Sequence, residues 1–135
     1  MQQSLITVGL PVCNAMPYLP EAMESLMAQR YSGFEVLAIV DGGTDGSLEY
    51  LRSLQARPLG RRLRILTQEN RGITATLNRM LRECRTHWLV RQDADDVSHP
   101  ERMGRLLQMD YLPPASELLW LSEVLHLIEK PHLSE

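Results

Sequence analysis

At 135 residues, with 44% hydrophobic and 23% charged residues, the chain suits one folded domain and excludes a disordered or repetitive polymer. A formal net charge of -3 argues against the dominant basic face that nucleic-acid binding usually shows. The one dense basic run, Arg61, Arg62 and Arg64, reads as a solvated stretch before a strand.

From the N-terminus, residues 5–12 are apolar and rich in β-branched side chains, and predict a buried strand. Asn14, Ala15, Met16 and Pro17 then form a turn. Leu19, Met23, Leu26 and Met27 follow at helical spacing, with Pro20 in the first turn, where its missing N–H does no harm. Residues 34–40 (FEVLAIV) make a second strand, apolar without alternation, as when helices cover both faces of a parallel sheet. The loop 41–47 offers several helix N-cap residues, and Leu48, Leu51 and Leu54 mark a short helix. Residues 64–66 predict a third strand. Ile73, Leu77, Met80, Leu81 and Cys84 mark the clearest amphipathic helix, and residues 88–90 a fourth strand. Ser98 and Glu101 have capping-box spacing, so a helix is expected to start there.

The tail departs from this rhythm. Pro113 and Pro114 interrupt the helix begun near His99. Residues 118–128 predict a further helix with apolar side chains on more than one face, and no later strand. Both apolar runs, 34–40 and 118–128, are too short to span a bilayer. No secretory leader is visible at Met1. The expectation is a cytoplasmic protein, with any membrane work done from the inner face. Cys13 and Cys84 lack metal or redox spacing and are expected to be buried free thiols. The four histidines are scattered without ligand spacing, which favours structural or solvent roles.

Four strand–helix units in series predict an α/β fold, a Rossmann-like parallel sheet flanked by helices. Ligands bind such sheets at the carboxyl ends of the strands, where Asp41 and the cluster Asp93, Asp95, Asp96 both fall. Crowded carboxylates repel, and a divalent cation relieves that cost. Mg²⁺ and Mn²⁺ favour oxygen ligands and bridge carboxylates to diphosphates. In an extended segment Asp93 and Asp95 would face one way and Asp96 the other. The competing reading is that these acids only cap the following helix. For Asp41 the alternatives are a ribose or base contact and a plain Asx turn. Residues 9–14 contain no G-x-G-x-x-G, and no Walker loop is present, so a nucleotide would be held through a metal-bridged diphosphate. A nucleotidyltransferase would need a glycine-rich basic loop after the first strand, which residues 11–17 do not supply.

Five motifs in order resemble glycosyltransferase family 2, with its GT-A nucleotide-diphospho-sugar fold. They are Pro11-Val12-Cys13-Asn14; Tyr18, Leu19, Ser25, Leu26 and Gln29; the run from Glu35 to Ser47; Asn70-Arg71-Gly72 with Asn78; and Asp93-Ala94-Asp95-Asp96 with Pro100. The resemblance covers about residues 4–110. It implies a donor nucleotide bound by Pro11, Asn14, Asp41, Arg71 and Asp93, and Mn²⁺ or Mg²⁺ held by Asp93 and Asp95. It implies inverting transfer of a sugar from a nucleotide-diphospho-sugar to a sugar, lipid or protein acceptor, as in cell-surface polysaccharide synthesis. Two departures stand out. Val40-Asp41 replaces the family's paired acids. Residues 112–135 match nothing of the family's continuation, so the GT-A fold reads as truncated: a donor-binding domain at 1–110 and an atypical helical tail at 111–135. Glu117, Glu123 and Glu129 are not placed as a general base. A fragment, a truncated product and a changed reading frame all fit. The alternative function is a non-catalytic nucleotide-sugar-binding remnant that associates with like or unlike chains through residues 118–128.

Overall fold

A computed structural model describes residues 4–57 and 62–108 in full and residues 127–129 as backbone. The described elements run β1 (Ile6–Val12), α1 (Leu19–Met27), β2 (Phe34–Asp41), α2 (Ser47–Leu54), β3 (Leu63–Gln68), α3 (Ile73–Glu83), β4 (Trp88–Arg91), α4 (Arg102–Leu107) and β5 (Leu127–Glu129). The sheet order is β3-β2-β1-β4-β5. The first four strands are parallel, as the alternation of strand and helix predicts. β1 lies between β2 and β4, so the chain changes direction across it. That is where an open α/β sheet forms a crevice.

The apolar strands are buried because helices cover both faces. Ile6, Val8, Leu10 and Val12 of β1 and Val36, Ala38 and Val40 of β2 face one core. They pack there with Leu19, Met23 and Leu26 of α1, Leu51 and Leu54 of α2, and Met103 and Leu106 of α4. The alternate residues Leu37, Ile39 and Leu89 face α3 through Met80 and Cys84. Each large side chain so buried stabilises the fold by roughly 1.5–3 kcal/mol. At Gly9 the α3 helix comes so close that a Cβ would stand 2.7 Å from the Met80 sulfur.

Several local expectations are corrected. β3 runs on to Gln68, because Asp41 pairs with Gln68 in register. The capping box does not form, and α4 begins only at Arg102. The Ser98 hydroxyl donates instead to Gln92 Oε1, and its N–H donates to Ser25 Oγ at 2.9 Å. Glu101 pairs with Arg30 and Arg105, both at 3.0 Å. The basic run is not simply solvated. Arg62 donates to the Phe34 carbonyl at 3.2 Å and lies 4.8 Å from that ring's centre. Arg64 pairs with Glu83 at 2.6 Å.

Leu127 and Ile128, expected in a helix, lie in β5, which pairs antiparallel with β4. An apolar run with no single face does not discriminate helix from strand by period alone, and the open edge of β4 offers a backbone partner. Pro113, Pro114, Glu117, Glu123 and the rest of the tail lie outside the described residues. No helix among the described residues is long and apolar enough to cross a membrane.

Candidate functional site

The loops leaving β1, β2 and β4 surround a cleft of about 430 Å³ at the carboxyl ends of the strands. Pro11, Asn14, Asp41, Asp93 and Asp95, five of the residues singled out by the sequence, line it together. The Arg71 side chain is exposed and is not part of that lining. Its backbone N–H points inward instead and donates to Asp41 Oδ1 at 2.7 Å.

Asp41 ends β2 and is 5% exposed. A buried carboxylate is costly unless hydrogen bonds replace its water. Three do so here: the Arg71 N–H, Gln68 Nε2 at 2.9 Å, and the Gly72 N–H on Oδ2 at 2.9 Å. Burial pushes this carboxyl up, but the donors from Arg71, Gln68 and Gly72 outweigh it and hold it below its ordinary value. Oδ2 accepts one bond and keeps capacity for a second. Gln68 also donates to buried Thr76 at 3.0 Å, which ties β3, α3 and the Asn70-Arg71-Gly72 loop to one carboxylate.

The β1 and β2 loops are strapped to each other by Asp45, Ser47 and Asn14. Asp45 Oδ2 accepts the Met16 N–H at 2.8 Å, and Oδ1 accepts the Ser47 hydroxyl at 2.7 Å. The Ser47 hydroxyl, ahead of the Met16 and Ser47 N–H groups, holds the Asp45 carboxyl below its usual range. Asn14, at φ 47, turns its Oδ1 to the Thr44 N–H at 3.0 Å. Gly43 sits at φ +95 against this side chain, and a Cβ there would lie 2.7 Å from Asn14 Oδ1. Gly43→Ala is therefore expected to destabilise the fold by about 1–3 kcal/mol. Urea unfolding measures this, and a loss below about 0.5 kcal/mol would show that the two loops part without cost.

At the other end of the cleft, the acidic segment is a turn and not an extended strand. The Asp96 N–H returns to the Asp93 carbonyl at 3.1 Å. Asp93, Asp95 and Asp96 thus each place a carboxylate oxygen within 4.8 Å of the others, so Asp96 joins the pair it was expected to leave. Oxygens held roughly 2.1 Å from one ion lie at most about 4.2 Å apart. The donor set therefore fits a small hard cation after slight closure. It does not cap α4, which starts beyond it.

Behind the turn lies a buried polar brace that sequence periodicity could not show. Gln92 Nε2 donates to the Asp96 carbonyl at 3.2 Å. Arg102 donates to the carbonyl of Arg91 at 3.1 Å and to Ser98 Oγ at 3.2 Å. Gln29 of the α1 C-cap region accepts the Met103 N–H at 3.1 Å and donates to the His99 carbonyl. The acids are thus mounted on α1 and α4 as well as on β4.

Apolar side chains complete the cleft. Tyr18 and Ile73, 60% and 48% exposed, line it and offer unpaired apolar surface. Cys13 also lines it and is exposed, against the expectation that both thiols are buried; only Cys84 is. One thiol is therefore expected to react rapidly with a thiol reagent under native conditions. Mass mapping should place the label on Cys13, and equal labelling of Cys84 would contradict the burial described. His87 packs edge-on against Trp88 and His99 Nδ1 accepts the Glu101 N–H, structural roles as expected. His126 and His132 lie outside the described residues.

The parallel sheet flanked by helices, with its switch-point crevice, has the GT-A fold of nucleotide-diphospho-sugar transferases. The chain belongs to glycosyl transferase family 2, whose family model matches residues 7–115. Putative glycosyltransferase EpsE of Bacillus subtilis (strain 168) is 31% identical over 100 residues, 74% of this chain and 36% of that protein. The chain therefore spans about a third of that relative's length. Mannosyltransferase PcManGT from Pyrobaculum calidifontis, solved in complex with GDP-Man and Mn²⁺, superposes with a TM-score of 0.74 at 23% identity, covering 84% of this chain and 34% of that one. S. aureus TarS in complex with UDP gives a TM-score of 0.70 at 22% identity, covering 80% and 31%.

Proposed function

We propose that the chain binds the donor for metal-dependent transfer of a sugar from a nucleotide-diphospho-sugar to an acceptor hydroxyl, with inversion at the anomeric carbon. The observation that carries this is the pairing, in one cleft, of the Asp41 end with the acidic turn of Asp93, Asp95 and Asp96. Family membership and the solved neighbours with UDP or with GDP-Man and Mn²⁺ support it.

Asp41 Oδ2 has capacity to accept one more hydrogen bond, from a ribose hydroxyl or a base N–H. Pro11, Asn14, Tyr18 and Ile73 exclude water from the ring that sits there. Asp93 and Asp95, with Asp96 in reach, would hold Mn²⁺ or Mg²⁺, which supplies positive charge to the diphosphate as it leaves. The buried brace fixes the backbone that carries these carboxylates before ligand arrives, so little backbone reorganisation opposes binding. Arg71 contributes through its backbone, which orients Asp41. No described residue is assigned as the base that takes the acceptor proton.

The test is a thermal-stability titration with UDP, GDP and dTDP, with and without Mn²⁺. Ligand at about 100 times its Kd adds roughly 2.7 kcal/mol to the folded state. A Mn²⁺-dependent shift with one nucleotide is expected, and a cooperative melt that no nucleotide moves would overturn the reading. A second reading is a nucleotide-sugar-binding module without turnover. Mn²⁺-dependent binding with no donor hydrolysis or transfer would select it.

A further inference from the structure

We infer that Arg91 is a positioning residue that couples the metal to the nucleotide: its guanidinium holds Asp93 away from a cation until a diphosphate draws that guanidinium off. This deepens the donor-site reading and rests on it.

Arg91 is the last residue of β4 and lines the cleft beside Asp93 and Asp95. Its Nε donates to Asp93 Oδ1 at 2.9 Å. Nη1 and Nη2 make no hydrogen bond to another described residue. Its backbone is fixed on both sides. The following N–H, of Gln92, donates to the Gly9 carbonyl at 2.9 Å, and Arg102 grips the Arg91 carbonyl. The side chain therefore turns about an immobile Cα.

The pair is partly exposed, at 30% and 37% for the two side chains, and such a pair adds little stability. A guanidinium so held exchanges readily for a better partner. A diphosphate is one, since it accepts the planar fork in bidentate fashion. With Arg91 on Asp93, one carboxylate oxygen is occupied and a positive charge stands beside the place a cation would take. Metal alone is therefore opposed. Metal and diphosphate together are not, because the diphosphate removes the guanidinium from Asp93 and leaves that oxygen to the ion. Each ligand then raises the other's affinity by the same factor.

Calorimetry on the 135-residue chain tests this, with Mn²⁺ alone, UDP or GDP alone, and nucleotide in saturating Mn²⁺. In the unsubstituted chain, Mn²⁺ is expected to bind about tenfold more tightly when nucleotide is present. Arg91→Gln should move the two affinities in opposite directions. Mn²⁺ alone should bind several-fold more tightly and nucleotide with Mn²⁺ about tenfold more weakly, with the coupling reduced to what the metal and diphosphate share directly. Arg91→Lys keeps the charge without the fork, so Mn²⁺ alone should bind as before while nucleotide weakens. Far-UV circular dichroism confirms folding of each variant. If Arg91→Gln does not fold, Arg91→Lys decides, and unchanged nucleotide affinity there overturns the inference. If the unsubstituted chain binds nucleotide with Mn²⁺ but Arg91→Gln shifts both affinities the same way, or neither, only the role of Arg91 is overturned. If the unsubstituted chain binds no nucleotide at all, the donor-site reading itself is overturned, and this inference with it.

Discussion

Asp95→Ala is expected to lower Mn²⁺ affinity by at least about 100-fold, because even loss of a residue that only supports a metal ligand costs 10–100-fold. Nucleotide binding should lose its Mn²⁺ dependence with it. The fold should not notice. Asp95 is exposed and its side chain makes no hydrogen bond to another described residue, so its removal should change stability by less than about 0.5 kcal/mol. Mn²⁺ titration and urea unfolding on the same sample separate the two effects. Asp96→Ala belongs beside it, since the turn brings that carboxylate within the same 4.8 Å. A third ligand would show as a smaller loss of the same kind, and an Asp95→Ala chain with undiminished Mn²⁺-dependent binding would remove the metal assignment.

Asp41→Asn should act on the fold and on the ligand together. The amide keeps the shape but offers one accepting oxygen in place of two, and turns a donor toward the N–H of Arg71 or Gly72. An unmade bond to a buried charged group, with a donor left facing a donor, costs about 2–4 kcal/mol. The pH dependence gives the check its sign. Asp41 is lowered from 3.8 in the folded chain, so the folded state binds its proton less readily than the unfolded state. Its stabilisation is fully present above the unfolded value and withdraws as pH falls through the lower folded one. The gap between the unsubstituted chain and Asp41→Asn should therefore be full at neutral pH and shrink below about pH 3.8. A gap that persists unchanged at about pH 3 would mean that the carboxylate's charge is not what the three donors recognise. Nucleotide affinity, measured where both chains are folded, should fall as well.

The strands were legible because burial on both faces leaves a nearly unbroken apolar run, as in residues 34–40, and α3 because its apolar residues recur at 3.6 positions. Asp41, Asp93 and Asp95 were legible because chemistry-bearing acids stood at the ends of such runs. What escaped was whatever depends on residues distant in sequence. Ser98 looked like a helix cap locally, yet Gln92 and Ser25 claim it. Asp96 looked averted until the chain turned at Ala94. The bond from the Arg71 N–H to Asp41 was hidden, because a motif gives a residue's identity and not its backbone partner. Arg91 carried no signal, and Asp45 none beyond its place in a motif, since each takes its meaning from a partner that only folding supplies. Leu127 and Ile128 were read by period, and the free edge of β4 overrode it.

The central place of β1 has a consequence for how the chain is made. Its partner on one side, β2, follows after a single helix, but on the other side Ile6 pairs with Trp88. On a ribosome adding roughly 5–20 residues per second, that edge of β1 waits on the order of ten seconds for its neighbour. Throughout that wait Ile6, Thr7, Val8 and Gly9 present open backbone on an apolar strand, the kind of edge that pairs with other chains. Non-local parallel pairing of this sort also slows folding after release. The crevice that β1 makes by standing between two distant partners thus comes with a period of vulnerability to aggregation, and holding nascent chains at low concentration or supplying a chaperone should raise the soluble yield.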